Sequence, residues 1–377
     1  MNAGTRLYWY HIMKLVIATP LYPPEIGGPA TYVKELEEGL PSRGINVTIV
    51  KFSDVRHLPK FFRHYIYYRK ILAAARDATA ILALDPVSVG LPAMKAAKKL
   101  GKPFVVKIVG DYAWEQGVQR FDVTQNLDEF VTTKQPSFFV RKLQQTQKYV
   151  AQNAIRIMVP SLYLKGIIEK WGIPSTKIEI IYNAVSISEI GHIPERVANL
   201  PRPLVVSVGR LVLWKHMDGI INAVAKLLQA GMSISFAVAG SGPLDANLVR
   251  YGKSKLLNNF FRTGELSHAD TLAVMKSADV FVLNSSYEGL SHVLIEAQML
   301  GIPTIATRVG GNEEIIRNHE NGILIPLGDV NALTDALKYL FTNPEMRANI
   351  AARAKESAKQ FSVETMLSKT AAVLQNL

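Results

Sequence analysis

Two glutamates separated by seven residues, Glu288 and Glu296, and two cations in another segment, Arg210 and Lys215, are the residues of this 377-residue chain best spaced to do chemistry. Glu288 stands in the polar loop SSYEG, directly after the apolar run VFVLN (280–284). A parallel α/β unit binds ligands where a strand gives way to a helix, and Glu288 falls at such a point. Glu296 falls within a stretch, Leu290 to Leu300, whose apolar residues cover nearly every face of a helix and which stops at Gly301. A carboxylate buried there costs on the order of several kcal/mol unless something hydrogen-bonds it, and a diol is a suitable pair of donors. The alternative is an ordinary helix glutamate on an exposed strip with Gln298 or His292. Arg210 and Lys215 follow the run LVVSVGR (204–210). Fixed cations at a strand end suit an anion whose charge grows as a bond breaks, because they then stabilise the transition state more than the ground state. Their alternative is two solvated surface charges.

Positioning these groups requires sheets, and the chain supplies strand-length apolar runs in regular alternation with helical patterns. In the first half the strands are expected at LVIATP (15–20), INVTIV (45–50), AILAL (80–84), PFVVKIVG (103–110), RIMVPS (156–161) and KIEIIYNAV (177–185). Residues 186–203 break the periodicity and read as a connection. A second series begins at 204 and continues at SISFAVAG (233–240), FFRTGE (260–265), VFVLN, PTIAT (303–307) and ILIP (323–326). Such alternation predicts parallel sheets covered on both faces. Glycines at strand ends allow close approach of backbone to a ligand: Gly27 and Gly28 in the loop after the first strand, and Gly240 and Gly242 in GSGP. Asp111, in KIVGDYAWEQG, ends another strand, where it could accept a hydrogen bond from a ligand hydroxyl or cap the helix that follows.

Taken together these segments resemble the E-x7-E motif of retaining glycosyltransferases of the GT-B fold, over most of the chain from about Lys14 onward. The resemblance implies two Rossmann-like doubly wound domains facing across a cleft: an acceptor-binding domain at 13–187, a nucleotide-sugar domain at 200–361, and a last helix (362–377) crossing back to the first. It implies that Glu288 contacts the donor sugar and Glu296 the ribose hydroxyls, with the amides of Gly289, Leu290, Ser291 and His292 facing the donor. Gly209-Arg210-Leu211 with Lys215 matches the family's G-R-L-x-x-x-K, although His216 stands where relatives often have Gly. Gly240 and Gly242 match its G-x-G-P, Gly27 and Gly28 its G-G, and Glu265 lies where relatives grip the base through backbone groups. Asp111 stands near the place of a family His that faces the reacting sugar. The implied reaction is retaining transfer of a hexose from a nucleotide diphosphate to a hydroxyl acceptor, lipid-linked or of the cell envelope. A GT-B-like nucleotide-sugar epimerase and a non-catalytic sugar-nucleotide-binding protein are the alternatives.

Composition narrows the partners. There are no cysteines, which excludes disulfides and thiolate metal sites and fits a cytoplasmic protein. The histidines show no zinc spacing and no D-x-D triplet exists, so neither a metal nor another cofactor is expected. Net charge is +12, almost all of it in the first half, which predicts an anionic partner. No zinc-finger spacing or RNP-type motif points to nucleic acid. Residues 51–76 interleave Phe61, Phe62, Tyr65 and Tyr68 with Lys60, Arg63, Arg69 and Lys70. On an amphipathic helix that mixture fits an anionic membrane surface, and equally a core helix with solvated basic edges. Residues 1–12 read as an extension ahead of the first strand.

Overall fold

A computed structural model describes residues 12–25, 27–187 and 189–377. The expected extension at 1–12 lies, apart from Ile12, outside the described residues. The chain divides into two compact units, residues 1–183 with 363–377, and residues 184–362.

Unit 1 is built on a six-stranded parallel sheet: β1 (Met13–Thr19), β2 (Ile45–Lys51), β3 (Ala80–Ala83), β4 (Phe104–Lys107), β5 (Arg156–Val159) and β6 (Ile178–Ile180), in the order β2-β1-β3-β4-β5-β6. β3 and β4 are buried at every position, as continuous apolar runs between two helical layers must be. The final helix, Val363–Gln375, packs on the helix Gly28–Gly39. Contact is close enough that a Cβ on Gly39 would stand 2.2 Å from Leu367 Cδ1.

Unit 2 has its own six-stranded parallel sheet: β7 (Leu204–Val208), β8 (Ser235–Ala239), β9 (Phe260–Gly264), β10 (Val280–Leu283), β11 (Thr304–Thr307) and β12 (Ile323–Ile325), in the order β12-β11-β10-β7-β8-β9. Counted from its own first strand this is the 3-2-1-4-5-6 order of doubly wound nucleotide-binding folds. Its core joins Val205, Phe236 and Val282 of the sheet to Ile220, Val224 and Leu227 of the helix Met217–Gln229.

Two local readings differ from the structure. Residues 51–76 are not one amphipathic helix: a short helix, Ser53–Arg56, is separated by Pro59 from the helix Lys60–Ala74. Proline disfavours helical backbone in the residue before it, so the break belongs at Leu58. The strand expected at 177–185 is ordered as sheet only over Ile178–Ile180. Between β4 and β5 the helices Tyr112–Arg120 and Leu127–Thr132 precede the long helix Phe138–Asn153. No helix among the described residues is long and apolar enough to cross a membrane.

Candidate active site

In a doubly wound sheet the strand order reverses at one place, and the loops leaving the two strands there turn to opposite faces and open a crevice. In unit 2 that place lies between β7 and β10, which pair directly (Val280 with Val205, Phe281 with Val206). The loop after β7 carries Arg210 and Lys215. The loop after β10 carries Glu288. The fold therefore brings together charges 73 residues apart: Lys215 Nζ lies 2.5 Å from Glu288 Oε1, with the two side chains only 14% and 12% exposed. Arg210 is exposed at the same strand end.

Hydrogen bonds to backbone carbonyls lock these loops. Ser286 N donates to Trp214 O (2.7 Å), Asn284 Nδ2 to His216 O (2.9 Å), and Gly311 N to Glu288 O (3.0 Å). His216 has φ 43° and ψ 47°, the left-handed conformation for which glycine is favoured. His216 thus holds a left-handed turn without glycine's freedom, at a cost in strain. Gly240 has no such latitude: at φ 134° a Cβ would stand 2.1 Å from Gly209 O. A Cβ on Gly242 would lie 2.4 Å from Leu211 O, so the loops after β7 and β8 touch backbone to backbone. Ser241 Oγ donates to Glu265 Oε2 at 3.4 Å, tying the loops after β8 and β9.

The helix expected over Leu290–Leu300 runs from His292 to Met299. Ser291 is its N-cap, with Oγ accepting from Leu294 N, and Leu290 is buried just before it. Among the described residues the Gly289 and Leu290 amides donate to nothing. Glu296 is 7% exposed in mid-helix, and Oε1 lies 2.9 Å from His268 Nε2 at the start of the helix His268–Lys276. That hydrogen bond holds the His268 imidazole above its ordinary pKa. Glu296 is therefore a buried, partnered carboxylate rather than a member of an exposed strip with Gln298, which is itself buried. His268 was not foreseen. Its only sequence signal is the capping serine Ser267 before it, which says where the helix starts and nothing about Glu296.

In unit 1 Gly27, at φ 148°, precedes the helix opened by Gly28 and accepts from Ala30 N through its carbonyl. Asp111 is an N-cap: Oδ1 accepts from Trp114 N at 2.9 Å. It is 1% exposed, Oδ2 has no hydrogen-bond partner, and burial raises its carboxyl pKa. Two further carboxylates that the sequence did not single out stand at the same edge of the sheet. Asp85, after β3, accepts from Val87 N and Ser88 N at 2.6 Å each and is also raised by burial. Glu115 is pushed up to about 7 by burial, with the Asp111 and Asp85 charges adding to the effect. Behind them Lys107 Nζ, fully buried, sits 4.1 Å over the Tyr32 ring and is pushed down to about 7. Glu35 is pushed up to about 7, again by burial first. Groups perturbed in this way cluster at functional sites more often than elsewhere. Among the described residues there is no cluster of His, Cys, Asp or Glu suited to a metal.

Comparison with known proteins follows this division. The glycosyl transferases group 1 model matches residues 192–357 and the Glycosyltransferase Family 4 model residues 26–189. The chain is 31% identical over 154 residues to an alpha-D-kanosaminyltransferase of Streptomyces kanamyceticus, covering 41% of this chain and 40% of that one. It is 26% identical over 231 residues to a phosphatidyl-myo-inositol mannosyltransferase of Mycobacterium leprae, covering 59% of each. The chain thus spans about half the length of the curated relatives it matches. Among solved structures, Anabaena Alr3699/HepE in complex with UDP-glucose superposes with TM-score 0.75 at 19% identity, covering 97% of this chain and 100% of the other. That likeness speaks to the fold. With one glycosyltransferase model on each unit and a GT-B neighbour over nearly the whole length, the chain belongs to the group 1 glycosyltransferases of GT-B architecture.

Proposed function

We propose that the protein transfers a hexose from a nucleotide-diphosphate sugar to a hydroxyl acceptor with retention of configuration and without a metal ion. The observation that carries this reading is the buried Lys215–Glu288 pair at the strand-order reversal of unit 2, with Arg210 beside it. Without ligand the two charges neutralise each other. A diphosphate arriving at the strand ends competes for the Lys215 ammonium and releases the Glu288 carboxylate to accept hydrogen bonds from sugar hydroxyls. Glu296, already presented by a buried helix, accepts from the ribose diol. The free Gly289 and Leu290 amides meet donor oxygens.

In the bond change, the anomeric carbon parts from the diphosphate oxygen and joins the acceptor oxygen on the same face. The acceptor proton passes to the departing phosphate. Negative charge grows on the diphosphate, and Lys215 with Arg210 stabilise it. No protein nucleophile takes part, and the cations do the work a metal does elsewhere. The names of the relatives, a kanosaminyl and a phosphatidylinositol mannosyl transferase, favour a glycan or lipid-linked acceptor. A basic unit 1 fits an anionic, membrane-bound one. The test is a thermal-shift screen against UDP-, GDP-, ADP- and dTDP-sugars, followed by transfer assays in EDTA with the product anomer read by NMR. An inverted product refutes retention. Loss of activity in EDTA refutes the metal-free reading, and turnover of donor without acceptor points to an epimerase.

A further inference from the structure

We propose that unit 1 contains a binding site for a membrane lipid bearing a phosphate, with the hydrocarbon chain in a cavity between helices and the phosphate on its cationic rim. The cavity measures about 740 Å³, within the roughly 300–1,000 Å³ usual for ligand pockets. Its apolar wall comes from four helices: Tyr65 and Tyr68 of Lys60–Ala74, Leu91 of Gly90–Leu100, Phe121 just after Tyr112–Arg120, and Phe139 and Leu143 of Phe138–Asn153. Val87 and Tyr112, which also line it, follow β3 and β4. The cavity therefore reaches the edge of the sheet where Asp85, Asp111 and Glu115 gather.

The charged residues that line it are of one sign. Lys95, Arg120 and Lys142 line the cavity with His64, and no Asp or Glu does. All three cations are exposed overall, and none forms an ion pair among the described residues. Residues that line an apolar wall and are still exposed suit long basic side chains, whose stems can cover apolar surface while the charge stays in water. Next to the cavity Phe62, Tyr65, Phe138 and Phe139 are 62%, 57%, 62% and 63% exposed, and Phe121 stacks on Phe139 at 5.8 Å between centroids. An apolar container asks for an apolar guest, and a rim of cations without counter-ions asks for an anion. A free sugar meets neither demand, and inorganic phosphate only one. A lipid phosphate meets both, and the exposed aromatics suit the headgroup layer from which it would come.

This inference rests on the transfer reading in one respect: it supplies the anchoring site of a lipid-linked acceptor. Direct binding tests it on the full chain, using alkyl phosphates of eight to fourteen carbons kept monomeric. Affinity should rise about four-fold per methylene until the cavity is full, then level off. The neutral maltoside of the same chain length should bind at least about ten-fold more weakly. Lys95→Gln with Lys142→Gln, both surface changes, should remove the preference for phosphate. Leu143→Trp should move the levelling-off to a shorter chain. Vesicles containing phosphatidylglycerol should sediment the wild type, and phosphatidylcholine vesicles should not. Equal affinity for phosphate and maltoside heads overturns the proposal. So does affinity that ignores chain length, or inorganic phosphate binding as tightly as dodecyl phosphate. Thermal shifts with nucleotide sugars, measured on the same samples, separate the two readings. Donor binding without alkyl phosphate binding defeats only the lipid site. Alkyl phosphate binding without any donor binding defeats only the transfer reading.

Discussion

Replacing Glu288 by Gln probes the arrangement at its centre, because glutamine keeps the shape and one carbonyl oxygen while removing the charge. The Lys215 ammonium, 2.5 Å away and 14% exposed, then has no counter-ion. Removing one partner of a buried pair typically costs about 3–5 kcal/mol. The retained amide oxygen offsets part of this, which leaves roughly 2 kcal/mol. In a unit of this size that lowers Tm by about 4–8 °C. Nucleotide binding should move the other way. In the wild type a diphosphate must draw Lys215 from a charge-assisted hydrogen bond, and in the variant from a neutral one. The difference of about 1 kcal/mol corresponds to roughly five-fold tighter binding. Transfer should fall by about 10²–10³, the scale for losing one preorganised contact at a reacting centre. Calorimetry with and without nucleotide diphosphate, alongside an initial-rate assay, reads all three. Weaker nucleotide binding in Glu288→Gln, or transfer at the wild-type rate, would refute the competition between carboxylate and diphosphate for Lys215.

Gly240→Ala should cost more than about 2 kcal/mol, since its Cβ meets the Gly209 carbonyl. Gly231→Ala, equally left-handed but with open space around it, should cost only about 1 kcal/mol, and chemical denaturation compares the pair. His216→Gly should leave stability unchanged or raise it by up to about 1 kcal/mol, because relief of left-handed strain is offset by backbone entropy; a larger loss would mean that the imidazole has a role. The His268–Glu296 bond stabilises the protonated imidazole, so its contribution is full below the ordinary histidine pKa and fades as pH rises through the raised folded value. An NMR titration should show His268 returning toward the ordinary value in Glu296→Gln, and an unchanged titration would exclude the contact. Lys107, depressed to about 7 by burial, should make folding more favourable as pH rises from 7 toward 10, since the unfolded chain then holds the extra proton. Lys107→Met should flatten that part of the profile in denaturation series at successive pH.

The architecture was legible because parallel strands buried on both faces read as uninterrupted apolar runs, and β3, β4, β10 and β11 stand where those runs predict. The grouping of charges after β7 and β10 was legible for a different reason. Glu288, Lys215 and the glycines all sit in loops at strand ends, so locating the strands located the loops. What stayed hidden was who meets whom. Nothing in the spacing of Ser267-His268 indicates Glu296, because β10 lies between the two helices in the sequence and their meeting depends on the fold. Asp85 and Glu115 look like a turn residue and a helix residue, and only the adjacency of β3 and β4 puts them beside Asp111. The break at Pro59 was within reach of backbone sterics, but the amphipathic pattern on both sides of it suggested a single helix.

The helix Val363–Gln375 belongs to unit 1 although the whole of unit 2 separates it from the rest of that unit. During synthesis, residues 12–183 must wait for it with Gly39, the seat of Leu367, facing water. The first unit to leave the ribosome is the last to be finished. Splitting the chain into two separately expressed halves at residue 183 would strand that helix on the wrong fragment. A permuted chain that begins near Val363 and runs by a short linker into Met13 would carry it in cis, and is the version of unit 1 to attempt in isolation.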